Sequence, residues 1–196
     1  MTWLLTASGA TFDLRFIAAA NISLLDIAHH LAQINRFTGA CARPYSVAEH
    51  SLLVCQLLEH AGYTNPALLQ AALMHDAHEA YTSDMSSPMK QVLGNAWAAE
   101  ENRIQHSVLR RFGCYTAFTA WRTPIHNADM QALATERAQL LPPGGPEWPV
   151  TASHPPAGWI DLTSRAAFTW LDWRQAFLDK FAELQYARSL QVETTA

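Results

Sequence analysis

"ALLQAALMHDAHEAYTSD", residues 67–84, decides how the rest of the chain is read. Its first half is Ala and Leu, both strong helix formers. Its second half places His75, Asp76, His78, Glu79 and Asp84 within ten positions. A surface turn has no need of so apolar an approach, and a plain core helix does not carry so many ionisable groups. On a helical wheel, Leu68, Ala72, His75 and Glu79 form one stripe, and Asp76 continues the adjacent stripe of Leu69, Ala72 and Leu73. The ionisable groups therefore share the faces that the apolar residues bury.

The flanking helices repeat the pattern. "YSVAEHSLLVCQLLEHAG", residues 45–62, has Ser46 as N-cap and Gly62 at its end. Val47, His50, Ser51, Val54, Leu57 and Leu58 fall on one face, so His50 lies among core positions. "TPIHNADMQALATERAQLL", residues 123–141, starts at a Thr-Pro pair and sets Asp129 with Ile125, Ala132 and Leu133. Alone, His50 reads as a satisfied core histidine and Asp129 as a cap or a salt-bridge partner. Together, three helices point ionisable groups at one interior. Burying unpaired charges costs several kcal/mol, and grouped carboxylates repel one another. A divalent cation resolves both difficulties, because imidazole nitrogen and carboxylate oxygen are its ordinary ligands.

The rest of the chain is mostly helical in pattern. "TWLLTASGATFDLR" alternates loosely around Ser8-Gly9 and predicts a small β-hairpin within residues 1–20. "SLLDIAHHLAQINRF", residues 23–37, is a helix capped by Ser23 and stopped before Pro44. Its His29 lies next to the Leu25 and Ala28 face and His30 toward solvent, so the doublet reads as structural. Asn65 and Pro66 open a helix that the pattern carries unbroken to Tyr81. Residues 96–113 form another, ending at Gly113. Residues 142–160 are too rich in Pro and Gly for a regular element, and read as a mobile cover or a packed irregular segment. The last helix spans residues 162–188, with Trp170, Trp173, Phe177 and Phe181 on one face. No repeat and no clear boundary divides the chain. Residues 1–196 read as one all-α domain.

Composition narrows the function. At 196 residues the chain supports one sizeable core. Only 15% of residues are charged, against about 25% in an average soluble domain. The net charge is -4, so there is no basic field for a nucleic-acid backbone, and polymer substrates are disfavoured. Low charge with seven Trp favours burial of some surface in a homo-oligomer, a dimer first. No apolar run approaches the roughly 20 residues of a membrane span. "MTWLLTASGA" lacks the basic start of a signal peptide. Cys41, Cys55 and Cys114 are odd in number and widely spaced, as free thiols in a cytoplasmic protein would be.

The order His50, then His75-Asp76, then Asp129 resembles the H…HD…D pattern of the HD-domain metal-dependent phosphohydrolases. "YSVAEHSLLV" and "AALMHDAHEAYTSDMSSPMK" are similar to segments of its bacterial 5′-deoxynucleotidase branch and of phage- and prophage-encoded relatives. The likeness runs from about Ile22 to about Leu141, and Glu79, Asp84, Pro88 and Lys90 all stand where that branch has like residues. It implies an all-helical bundle. It also implies that His50, His75, Asp76 and Asp129 ligate one divalent ion, whether cobalt, manganese, zinc, iron or magnesium, which holds water and orients phosphate. The resemblance makes Glu79 a general acid or base, and places Asp84 near the sugar or a second cation. It gives Arg36 and Lys90 to the phosphate and Phe37 to the sugar or base. Outside the resemblance, Asp84 also suits a turn and Arg36 also suits a structural ion pair. His78 stands where the family more often has a small residue, which leaves room for a second metal near Glu79 and Asp84 or for a reshaped pocket. The implied activity is hydrolysis of a (deoxy)nucleoside 5′-monophosphate. A triphosphohydrolase of the same fold is the alternative, and a nuclease or a non-catalytic nucleotide or metal sensor are rivals of other classes.

Overall fold

Side-chain caps at three helix starts fix the frame. Ser23 accepts from Asp26 N ahead of α1 (Leu24–Gln33), and Ser46 accepts from Glu49 N ahead of α2 (Val47–His60). Asn65 accepts from Ala67 N and Leu68 N ahead of α3 (Pro66–Leu73), with Pro66 in the first turn. Each satisfies backbone donors that a helix leaves unpaired at its N-terminus. The computed structural model describes residues 1–193. After α3 come α4 (Glu79–Thr82), α5 (Ser87–Arg111, broken at Gly94), α6 (Tyr115–Ala120), α7 (Arg122–Gln139), α8 (Pro149–Ser153) and α9 (Trp170–Glu193). The protein is all-α apart from the antiparallel pair β1 (Trp3–Leu5) and β2 (Thr11–Asp13), in which Leu4 faces Phe12.

The core lies among α1, α2, α3, α7 and α9. Ile27, Leu31, Val47, Leu53, Val54, Leu68 and Leu73 are buried, and α9 closes over α1, α2 and α3 with Trp173, Phe177 and Phe181. Trp170 belongs to the expected aromatic face but is 39% exposed. The hairpin is docked onto the bundle. Ser8 donates through N and Oγ to the buried Asp26 carboxylate at 2.7 and 2.8 Å. Phe12 stacks on Tyr81 at 3.8 Å. His30 is not turned to solvent: its Nδ1 donates to Ala80 O and its Nε2 accepts from Ala7 N. It ties hairpin, α1 and α4 together.

Several segments differ from the sequence expectation: the helix expected over residues 96–113 runs from Ser87 to Arg111, and the one expected to reach Phe37 ends at Gln33. The helix from Pro66 does not run to Tyr81 but ends at Leu73. The His75 ring donates to Ala72 O at 2.7 Å, capturing the carbonyl that the next helical turn would use. Residues 74–78 then close with tighter bonds, His75 N to Ala72 O and Glu79 N to Asp76 O. The helix expected at Thr123 starts one residue earlier at Arg122, after the short α6, whose presence the pattern did not reveal. The segment 142–160 does contain a regular element, α8, with Pro149 in its first turn. It is packed: Ala157 N donates to Thr135 Oγ1, and Gln139 bonds both Ile160 O and Leu162 N. The last helix begins at Trp170 rather than Leu162. Asp161 gathers Thr163 N, Thr163 Oγ1 and Ser164 N into a turn, and Asp172 accepts from Thr169 N and Oγ1 just ahead of α9. That end runs to Glu193 rather than Arg188.

Cys41, Cys55 and Cys114 are free thiols. Among the described residues no helix is long and apolar enough to cross a membrane.

Candidate metal centre

α2 and the 74–78 turn bring His50, His75 and Asp76 to one point, and α7 sets Asp129 beside the two histidines, outside that mutually close group. His50 Nε2 lies 3.2 Å from Asp129 Oδ1 and 3.6 Å from Asp76 Oδ2. His75 Nε2 lies 3.2 Å from Asp76 Oδ2 and 4.0 Å from Asp129 Oδ1. Ligand atoms of His50, His75 and Asp76 all fall within 4.8 Å of one another, a group able to hold a metal ion. Both Nε2 atoms are buried and, despite these approaches, have no hydrogen-bond partner.

The opposite ring nitrogens explain why. His50 Nδ1 lies 2.6 Å from Glu136 Oε1, and His75 Nδ1 lies 2.7 Å from the Ala72 carbonyl. A carbonyl can only accept, so the His75 Nδ1 carries the proton and its Nε2 offers a lone pair. The carboxylate of Glu136 favours the same tautomer in neutral His50. With both rings neutral, two lone pairs face two carboxylates, an arrangement that repels itself until protons or a metal cation stand among them. Each imidazole is also oriented by a partner on its far nitrogen, as metal-ligating histidines usually are. The residues fit a divalent ion.

Ionisation follows from the same crowding. Burial opposes a charge on His50, and Arg36 adds to it, yet Glu136 and Asp129 outweigh both and carry the imidazole up to about 9. His75 is raised too, with Asp76 and Asp129 overcoming burial. Burial would raise Asp76, but His75 and His50 hold it well below the usual carboxylate range. Asp129 is lowered against burial by His50 and His75. Glu136, raised by burial but opposed by Arg36 and His50, falls to about 2. In the absence of metal, protons on the imidazoles hold the cluster together, and a cation would displace them.

Glu136 was not among the residues expected from sequence. It lies seven positions beyond Asp129 on the same inward face of α7, so extending that stripe two turns would have found it. It also accepts from Tyr45 Oη at 2.8 Å and pairs with Arg36 at 3.3 Å.

The centre opens onto a cavity of about 700 Å³. Asp76, Asp129, Glu79, Asp84, Arg36 and Lys90 supply its charged side. Phe37, Met130, Leu133, Trp148 and Val150 supply an apolar side, with Phe37 and Trp148 ring centroids 6.1 Å apart. Every expected substrate residue thus lies on one wall system. Arg36 is held there by the bridge between Asn35 and Ser46, in which Arg36 N donates to Tyr45 O. Its guanidinium is 3.7 Å from Asp76, and its buried Nε has no partner. Burial works against its charge, but Glu136, Asp84 and Asp76 keep it firmly protonated. Phe37 and Thr38 both take left-handed backbone angles (φ 55 and 51), which non-glycine residues rarely adopt. Such strain collects at ligand-binding sites. Trp148 was missed because it sits in the Pro/Gly segment. Arg137 fixes it, lying 5.3 Å over its ring and donating to Pro142 O and Gly144 O.

The tight turn also rearranges the wheel. With bonds three residues apart, Glu79 N donates to Asp76 O, while the His75 carbonyl accepts from Gln105 Nε2 instead. Asp76 and Glu79 line the 700 Å³ cavity, whereas His75 and His78 line a second cavity of about 460 Å³ beside Glu101, Asn102 and Gln105. His78, Glu79 and Glu101 form another group able to hold an ion, and Asp84 lies outside it. Lys90 Nζ is 2.6 Å from Glu101 Oε1 and 4.0 Å from Glu79 Oε1. Burial, then Asp76 and Asp84, push the Glu79 carboxyl well above its ordinary value. Burial raises Asp84 as well, although Arg36 opposes it.

No protein-family model matches the chain. It is 36% identical over 155 residues to the uncharacterized protein YfdR of Escherichia coli (strain K12), covering 79% of this chain and 82% of that one. It is 37% identical over 144 residues to an uncharacterized protein of Rhodobacter capsulatus, covering 70% of each. At this identity and coverage the chain belongs to the same family as YfdR.

Proposed function

We propose that this protein is an HD-type divalent-metal phosphohydrolase that converts a small nucleotide, foremost a (deoxy)nucleoside 5′-monophosphate, into nucleoside and phosphate. The observation that carries this reading is the pair of buried, unpartnered imidazole nitrogens aimed at Asp76 and Asp129 on the wall of a cavity with one charged and one apolar side. His50, His75, Asp76 and Asp129 would hold the ion. When bound, a dication of this kind supplies Lewis-acid stabilisation of phosphate charge and lowers the pKa of water.

The chain's own groups do the rest. Arg36, permanently charged and with an unused Nε donor, grips phosphate oxygens while Glu136 and Asp76 hold it in place. Burial, then Asp76 and Asp84, raise the Glu79 carboxyl and favour its acid form, and its Oε2 has no partner. As water adds to phosphorus and the bond to the 5′-oxygen breaks, Glu79 gives its proton to that leaving oxygen. Asp84, further along the same wall, accepts from a sugar hydroxyl. Phe37 and Trp148 receive the base, because a flat π-system stacks on aromatic rings. Lys90 adds positive charge at the phosphate end.

The test is to incubate Mn²⁺-loaded protein with dAMP, AMP and dATP and identify the products. Phosphate and nucleoside from the monophosphates support the reading. Triphosphate from dATP alone assigns the site to triphosphohydrolysis, and no product from any of them overturns it. Trp148→Ala is expected to raise KM for dAMP by about tenfold, the loss of one stacking contact, while leaving KM for ribose 5-phosphate unchanged.

A further inference from the structure

The second cluster is incompletely satisfied as it stands. His78 is 2% exposed, yet neither of its ring nitrogens has a hydrogen-bond partner. Glu79 is as deeply buried, and its Oε2 is also unpartnered. Glu101 completes a set whose ligand atoms all lie within 4.8 Å of one another. Lys90 meets this need only in part. Its ammonium pairs with Glu101 at 2.6 Å but stands 4.0 Å from Glu79, beyond hydrogen-bond range. The lysine side chain is 34% exposed, so it has room to withdraw to solvent. The cavity lined by His78, Lys90, Glu101, Asn102 and Gln105 reaches this cluster from the side away from Phe37 and Trp148, which line the larger cavity but not this one.

We propose that His78, Glu79 and Glu101 form a second cation site, for a first-row transition dication such as Mn²⁺ or Zn²⁺, in which the Lys90 ammonium is the exchangeable occupant. The donor set, one imidazole nitrogen and two carboxylates, suits these ions better than Mg²⁺ or Ca²⁺, which prefer oxygen throughout. A dication brings twice the charge of the ammonium to two carboxylates and takes up the histidine lone pair. The site does not depend on the reaction. On the reading given above, however, an ion here would engage Glu79 and remove it from proton transfer, so excess metal would slow turnover.

The experiment is equilibrium dialysis against Mn²⁺ with metal counted per chain, for wild type, Lys90→Met, Glu101→Gln and His50→Ala, each checked for folding by circular dichroism. Removing the competing charge in Lys90→Met is expected to tighten the second ion by at least about tenfold. The variant then holds two ions at a free Mn²⁺ concentration where the wild type holds one. Wild type reaches two at saturation, Glu101→Gln stays at one, and Mg²⁺ fills no second site. If Lys90→Met does not fold, saturated wild type against Glu101→Gln gives the same answer. A single ion per chain in wild type and Lys90→Met up to millimolar Mn²⁺ that Glu101→Gln still holds, or two ions in Glu101→Gln, overturns the proposal. His50→Ala separates the two centres. If wild type and His50→Ala both hold a single ion, and Glu101→Gln loses it, the first centre fails while the second stands.

Discussion

Two histidine–carboxylate clusters share the turn at residues 74–79, and they are built to different standards. In the first, each imidazole is anchored through Nδ1, His50 by Glu136 and His75 by the Ala72 carbonyl, leaving both Nε2 atoms aimed at carboxylates. In the second, neither nitrogen of His78 is hydrogen-bonded, its Nε2 standing 3.5 Å from Glu101 Oε1, and a flexible lysine stands at the carboxylates. The difference is one of preorganisation. Ligands held by outer partners lose little freedom on binding an ion, whereas a loose set with its own internal cation must rearrange first. The first cluster therefore reads as a resident centre and the second as an exchangeable one.

The contrast can be broken most severely at Asp76, which belongs to the first cluster and lines both cavities. Asp76→Asn is expected to empty the first centre and reduce phosphate release by more than about a thousandfold, with the helical circular-dichroism signal retained. On the proposed mechanism, Glu79→Gln removes the proton donor while leaving the ligands of the first cluster in place. It should lower kcat by about 10²–10⁴ while the tightly held ion remains, as metal analysis of the purified variant will report. Glu136→Gln leaves every ligand in place but loosens the His50 anchor. A fall of about 10–100-fold in first-site metal affinity follows, and removing the equivalent support from the second cluster has no counterpart.

The smallest effect is on pH dependence in metal-free protein. His50 moves from 6.5 to about 9 on folding, so its stabilisation is complete below pH 6.5 and disappears as pH rises through 9. Glu136, near 2, stays ionised throughout that interval and contributes no slope. Thermal melts of metal-free protein should therefore show Tm falling between those pH values. The Zn²⁺-loaded protein should lack this fall, because its His50 has no proton to lose.

Much of this was legible in the sequence for a plain reason. His50 and Asp129 lie on regular helices, where the 3.6-residue period reports which way a side chain points. The 74–79 turn defeated the wheel because a side chain, His75, takes a carbonyl from the backbone, and no period encodes that competition. Glu136 was available from the α7 stripe. Glu101 was not, since α5 buries only Ile104, Val108 and Leu109 and gives no clear inward face at that position. Trp148 depends on how Arg137 folds back over the Pro/Gly segment, and the late start of α9 depends on Asp161 and Asp172 meeting their turn partners. Such contacts are specific to the folded chain and leave no mark on hydrophobic patterning.

The most direct measurement is a crystal structure of the protein loaded with Zn²⁺, with anomalous data collected at the zinc edge. The account predicts a peak bounded by His50 Nε2, His75 Nε2, Asp76 and Asp129, each within about 2.0–2.2 Å of the ion. A folded protein whose zinc lies elsewhere, with these four side chains touching no common ion, would contradict it.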